Sequence, residues 1–214
     1  MTRVLIVGAG GHGQVVADIL RRMHDAGQVV EPLGFLDDDP AWQQQTVAGL
    51  PVLGKTADFP RLDCDALVVA IGRNHIRQQV VGWLQAQGAT FFIARHPTAV
   101  IAPDVMIGSG SMIAANVVIN TGTVIGSHVI LNTACTVDHH NQIGNFAHIA
   151  PGAHLGGDVR VGMGSLIGIG GVIAPQRAIG DWCTVGAGAV VIDDVPEGVT
   201  AVGVPAHPIF KVQP

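Results

Sequence analysis

The stretch VIAPDVMIGSGSMIAANVVINTGTVIGSHVILNTACTVDHHNQIG, residues 100–144, carries an aliphatic residue at every sixth position. Continued forward, the series reads Ile101, Ile107, Ile113, Ile119, Ile125, Leu131, Val137, Ile143, Ile149, Leu155, Val161, Ile167, Ile173, Ile179, Val185 and Val191 without a miss. Four positions after each of these the residue is usually small, as at Ser111, Thr123, Cys135, Ala147, Ala153, Ser165 and Ala189, while Asn141 and Arg177 break the rule. A period of six suits neither a helix nor a lone strand. It suits a coil of three short strands that turns one aliphatic side chain inward on each flat side, and stacked coils of this kind make a β-helix prism. Glycine often follows the aliphatic residue directly, as at Gly108, Gly126, Gly144, Gly162 and Gly180, which predicts unusual backbone angles at those points of the corners.

Upstream of this array the pattern changes. From Met1 to about Arg95, short β-branched runs alternate with helix-period segments, which predicts βαβ units and a parallel sheet. Val4 to Val7 reads as a strand and Gly8-Ala9-Gly10-Gly11 as a turn. Val15, Val16, Ile19, Leu20 and Met23 then share one helical face that ends near Gly27. Further strands are expected over Val29 to Leu36, Ala66 to Ile71 and Thr90 to Ala94, with a helix over about Asn74 to Gln87. The fold class is thus an α/β N-terminal domain with a small Rossmann-like parallel sheet, residues 1–97, followed by an all-β hexapeptide-repeat domain, residues 98–214.

The composition agrees with a repetitive, tightly turned interior. Hydrophobic residues make up 48% of the chain, charged residues only 13%, and there are 29 glycines and no tyrosine, whereas charge averages about a quarter of ordinary globular chains. A formal charge of −5 argues against a nucleic-acid backbone or an anionic membrane as the main partner. The cysteines, Cys64, Cys135 and Cys183, form no C-x-x-C pair and read as reduced thiols of the cytoplasm. The opening MTRVLIVGAGGHG has too short an apolar run for a signal peptide or a membrane span.

Three segments carry a resemblance beyond the repeats. They are Val7-Gly8-Ala9-Gly10-Gly11-His12-Gly13, the run Gly34-Phe35-Leu36-Asp37-Asp38, and Val137-Asp138-His139 followed by Phe146-Ala147-His148-Ile149-Ala150-Pro151-Gly152. With Val195-Pro196-Glu197-Gly198 and Gly203-Val204-Pro205-Ala206 at the end, the chain resembles the sialic-acid O-acetyltransferase-like (NeuD/PglD-like) group of left-handed β-helix acyltransferases. That group includes bacterial nucleotide-4-amino-sugar N-acetyltransferases. The resemblance implies a left-handed parallel β-helix, acetyl-CoA as cosubstrate, a nucleotide-linked (UDP- or GDP-) 4-amino-6-deoxy sugar as acceptor, a homotrimer, and a place in bacterial glycan biosynthesis.

A glycine-rich turn that opens a helix presents backbone N–H groups and the positive end of the helix dipole to a phosphate. Taken alone, Gly8-x-Gly10-x-x-Gly13 also suits a dinucleotide oxidoreductase, but the first half is too short for a full dinucleotide fold and no hydride-transfer domain follows. In the resembling family the loop Gly10, Gly11, His12, Gly13 holds the diphosphate of the nucleotide sugar. Asp37 and Asp38, at the end of a strand, are placed to accept hydrogen bonds from ribose or base, and Arg73, Asn74 and Arg77 follow the third strand at the same sheet edge.

Amide formation from a thioester needs a base near neutral pH, and imidazole supplies one. The resemblance gives His139 that role. The family's next residue is usually acidic and orients the histidine, whereas here it is His140, and a second imidazolium would depress the first one's pKa. The orienting support then comes from Asp138, from another residue, or not at all. By resemblance His148 contacts the acetyl donor or helps hold the substrate, and Gly157, Ile169 and Ala187 face acetyl-CoA between two subunits. Zinc would need three converging imidazoles; His139, His148 and His154, spaced nine and six apart, do not meet on one side of an eighteen-residue coil, so no metal is expected. Two other readings stand beside the favoured one: a sugar O-acetyltransferase acting on sialic acid or another hydroxyl, and a non-catalytic nucleotide-sugar sensor.

Overall fold

The computed structural model describes residues 1–209, so residues 210–214, the end of the expected tail, lie outside the described residues. The chain forms two compact units that divide between Pro97 and Thr98.

In the first unit, β1 (Thr2–Val7), β2 (Val30–Leu36), β3 (Thr46–Val47), β4 (Leu50–Gly54) and β5 (Ala66–Val69) form one sheet in the order β3-β4-β2-β1-β5. All pairings are parallel except β3 with β4. The interior strand β1 is buried on both faces, which is why Val4, Leu5, Ile6 and Val7 run apolar without alternation. Helix α1 (Gly11–Asp25) lays Val16, Ile19, Leu20 and Met23 into the core, each burial contributing about 1.5–3 kcal/mol. Val15 falls at the edge of that face and is exposed. The helix stops in a Schellman motif: Gln28 N–H donates to Met23 O, Gly27 N–H donates to His24 O, and Gly27 takes φ +83°.

Helix α2 (Asn74–Ala86) follows β5. β5 is shorter than expected because Ala70 N–H turns to Val7 O and the chain then leaves the ladder. The strand expected over Thr90 to Ala94 is reduced to one bridge between Leu67 and Phe91, plus a two-residue strand at Ala94–Arg95.

In the second unit two-residue strands recur every six residues, from Val100–Ile101 through Val190–Val191. Each pairs in parallel with the strand a full coil away, so Ile119 lies beside both Ile101 and Val137. The strands collect into three sheets, which make the faces of a left-handed parallel β-helix. The hexad aliphatics form its core; Ile113, Leu131, Val137, Ile149, Ile167 and Val185 are fully buried.

The corner glycines differ from the sequence-based expectation. Where a corner holds a left-handed residue it comes three positions after the aliphatic, at His128, His140, Phe146, Asp158, Gln176 and Trp182 among others. The glycines directly after the aliphatic are required for another reason, close approach of the next coil. A Cβ on Gly144 would stand 2.6 Å from Met163 N, and one on Gly108 would stand 2.5 Å from Gly126 C.

Polar residues at the small-residue position stitch coils together. Ser111, Thr123, Asn141 and Ser165 are each fully buried. Their side chains donate to Gly126, Asp138, Gly156 and Gly180 carbonyls and accept from the N–H of Val129, Asn141, Val159 and Cys183 respectively.

Candidate active site

In the first unit the strand order reverses beside β1, so the loops after β1 and β5 border the crevice where open α/β sheets bind ligands. Gly8 takes φ +105°, and a Cβ on it would press on Ala70 O at 3.0 Å. Helix α1 starts at Gly11 behind the N-cap Gly10, so Gly11, His12 and Gly13 form the positive end of the helix dipole, an end that favours an anion. Gly13 touches Gly8 so closely that any side chain would collide with the Gly8 carbonyl.

Asp37 holds this loop. Its Oδ2 accepts from Ala9 N–H at 2.7 Å and its Oδ1 from Asp39 N–H at 2.9 Å. Both oxygens of the expected ribose acceptor therefore serve backbone donors in its own loops. Asp38 accepts from Thr56 N–H through Oδ1 at 2.8 Å and lines a cleft of about 320 Å³ with Thr56, Ala57, Gln79, Val80 and Trp83. Burial, and then the Arg77 charge, push His12 down to a pKa of about 4, so its imidazole is neutral at neutral pH. Arg77 itself is almost fully buried, donates to Ile71 O at 2.8 Å, and is lowered by burial to about 10, so it remains a cation. Arg73 sits exposed at the N-cap of α2.

In the second unit Asp138, His139 and His140 occupy the corner between the strands Thr136–Val137 and Gln142–Ile143. Both histidines are exposed. The two Nδ1 atoms lie 3.1 Å apart, with the rings at 76° to each other. Asp138 is engaged elsewhere, since its Oδ1 accepts from Asn120 Nδ2 and from the backbone N–H of His139, both at 2.8 Å. The Asn120 amide, then that N–H and the His139 charge, hold the Asp138 carboxyl below the usual range. The direct partner of the His139 ring is thus His140.

Beneath them Asn141 is buried, with its amide donating to Asp138 O at 2.6 Å and Gly156 O at 2.9 Å. Gly157, one coil ahead of His139, has no side chain where the ring lies; a Cβ there would stand 2.5 Å from Nε2. The other expected acetyl-CoA residues belong to a different edge. His148 lies on the strand His148–Ile149, where its Nε2 is 3.2 Å from Asn132 Nδ2. Ile169 and Ala187 stack a coil apart on the corners that follow this sheet, and both are exposed. The residues at this corner that sequence reasoning passed over are Asn120 and Asn141, of which only Asn141 left a signal, by breaking the small-residue rule.

Residues 3–84 match the PglD N-terminal domain family. Over 219 aligned residues, covering 94% of each protein, the chain is 35% identical to a GDP-perosamine N-acetyltransferase of Escherichia coli O157:H7. The chain belongs to the PglD-like N-acetyltransferases. PerB of Caulobacter crescentus, solved with CoA and GDP-perosamine, superposes with a TM-score of 0.90 at 38% identity over 98% of each chain. The acetyltransferase domain of PglB from Neisseria gonorrhoeae, solved with acetyl coenzyme A, gives 0.90 at 40% identity over 97% of this chain and 98% of that one. This PglD-like chain is accordingly an acyltransferase with the two-part architecture of its relatives. Among the described residues no helix is long and apolar enough to cross a membrane, and no group of three or more His, Cys, Asp or Glu is arranged to hold a metal ion.

Proposed function

We propose that this enzyme transfers the acetyl group of acetyl-CoA to the amine of a nucleotide-linked 4-amino-6-deoxy sugar, with His139 as general base. The observation that carries the reading is the state of His139: an exposed imidazole whose Nδ1 is engaged by His140 and whose ring rests where Gly157 has no side chain. A shared Nδ1 proton on His139 leaves the Nε2 lone pair for the substrate.

The amine nitrogen attacks the thioester carbonyl, and His139 Nε2 takes the proton that the nitrogen sheds. The C–N bond forms, the C–S bond breaks, and the thiolate leaves with a proton as CoA-SH. Backbone N–H groups of the coil stabilise the oxyanion. Residues 1–97 bind the nucleotide: helix N–H groups at Gly10 to Gly13 and the buried Arg77 cation favour a diphosphate, and Asp38 borders a cleft open to a further group. Residues 98–214 carry the transfer.

His139 with Gly157, and His148 with Ile169 and Ala187, stand on different edges of one prism. They face a common acetyl-CoA when the edge of one subunit meets the other edge of the next, which supports a homotrimer. Three thiols without a disulfide suit the cytoplasm, where acetyl-CoA is made.

Thiol release from acetyl-CoA is to be measured against GDP- and UDP-linked 4-amino-6-deoxy sugars, including GDP-perosamine, with CMP-sialic acid as the hydroxyl control. Turnover on an amino sugar, lowered on the order of 10²-fold or more by His139→Ala, is expected. Turnover on the hydroxyl control alone would move the enzyme to O-acetylation, and nucleotide-sugar binding without turnover would make it a sensor.

A further inference from the structure

We infer that Asp104 is a positioning residue for the transfer, acting on His139 through His140, so that an aspartate from two coils away supplies negative charge on the far side of the imidazole that is bonded to the His139 ring. This rests on the reading of His139 as the base.

Asp104 stands at the same corner as His140, two coils earlier, with Gly122 between them. Its Oδ2 accepts from Thr121 Oγ1 at 2.7 Å and from Gly122 N–H at 2.8 Å, which aims the carboxylate along the corner. The His140 ring lies over the same glycine: a Cβ on Gly122 would stand 2.7 Å from Cδ2 and 3.0 Å from Nε2. The far edge of His140 therefore faces the residue that Asp104 holds, while its near edge, Nδ1, meets His139 Nδ1. The Thr121 hydroxyl first, then the Gly122 N–H and, further down, the His140 charge keep the Asp104 carboxyl below its ordinary range.

Two Nδ1 atoms at 3.1 Å need one proton between them. With that proton on His139, His140 accepts through Nδ1 and carries its own proton on Nε2, the edge toward Asp104. When His139 Nε2 takes the substrate proton, the resulting positive charge is shared across the Nδ1 contact and stabilised by the Asp104 carboxylate. A neutral imidazole alone would orient His139 but would not stabilise its cation. The other charged groups at this corner are Asp138, whose Oδ1 is engaged by Asn120 and the His139 N–H, and Asp158 one coil ahead, which shares a cleft with Arg160, Arg177 and Asp194.

The test is a pH profile of kcat and kcat/KM for the full-length protein and for Asp104→Asn, His140→Glu, the double variant, His140→Asn and His139→Ala. Asp104→Asn is expected to lower kcat about tenfold, leave KM near its original value and move the acidic limb to lower pH, because an imidazolium without its counter-charge loses its proton more readily. His140→Glu puts a carboxylate directly on His139 Nδ1, so it should retain activity, and in that background Asp104→Asn should change kcat less than about twofold. An equal loss in both backgrounds, or none in the original, overturns the inference. If Asp104→Asn does not fold, His140→Asn decides, since asparagine tolerates the left-handed backbone at 140: an unmoved acidic limb there overturns the inference as well. If His139→Ala keeps full turnover, the base reading itself fails, whereas a dead His139→Ala beside a silent Asp104→Asn removes only the role of Asp104.

Discussion

The imidazole of His139 occupies the space that a side chain on Gly157, one coil ahead, would enter: a Cβ there would stand 2.5 Å from Nε2. The missing side chain sets where the imidazole can rest. In Gly157→Ala the ring must move, and because His139 is exposed it can do so without unpacking the core. The expected outcome is a loss in kcat on the order of 10²-fold, the scale of a misplaced catalytic group, with a melting temperature close to the original. Steady-state kinetics beside thermal melting checks this, and an unchanged kcat would mean that the ring position does not matter.

Asn141 ties the same corner from below through its bonds to Asp138 O, Gly156 O and Val159 N–H. Asn141→Ala leaves buried backbone groups without those partners, at a cost of about 2–3 kcal/mol. Denaturant unfolding should show that loss, accompanied by reduced kcat as Asp138 and His139 loosen. Asn141→Ser should do less damage, since serine and threonine fill the equivalent position at Ser111, Thr123 and Ser165.

Asp37 uses both carboxylate oxygens on backbone N–H donors, Ala9 and Asp39. Asparagine offers one acceptor and one donor, so Asp37→Asn sets an N–H against an N–H. Loss of a charge-assisted bond on this scale, about 1.5–3 kcal/mol, should loosen the glycine loop and weaken nucleotide binding by about tenfold or more. Calorimetric titration with the nucleoside diphosphate reads it directly; undiminished affinity would separate Asp37 from loop order.

The depressed pKa of His12 has a stability consequence with a definite sign. The folded value of about 4 lies below the ordinary 6.5, so between those values the unfolded chain binds the proton that the folded chain refuses. Stability is then full above pH 6.5 and falls as the pH drops toward 4, by roughly 3 kcal/mol in all. Buried His96, also lowered, adds in the same direction. His12→Asn should flatten this slope when unfolding is measured at about pH 7 and about pH 5; an unchanged slope would assign it elsewhere.

The β-helix was legible because its core repeats one chemical requirement every six residues, and no partner element is needed to see it. The first strand and α1 were legible for local reasons too: Val4 to Val7 form an unbroken apolar run, and Val16 to Met23 carry the helical period of their own backbone. The outlying strand at Thr90 to Ala94 was not, since its residues carry no period of their own and only Phe91 bridges to Leu67. His139 could be singled out from its motif, but its partner could not. Adjacent positions 138 and 140 offered a carboxylate and an imidazole, and only the corner geometry turned Asp138 to Asn120 and His140 to the ring.

The sequence by itself determined two units and a coil of three sides, because local periods encode them. Tertiary structure alone decided that Asp104, Asn141 and Gly157 share the surroundings of His139 and His140. Residues a coil or two apart become neighbours only when the strands stack in register, and a hydrogen bond between them has no signature in the linear chain.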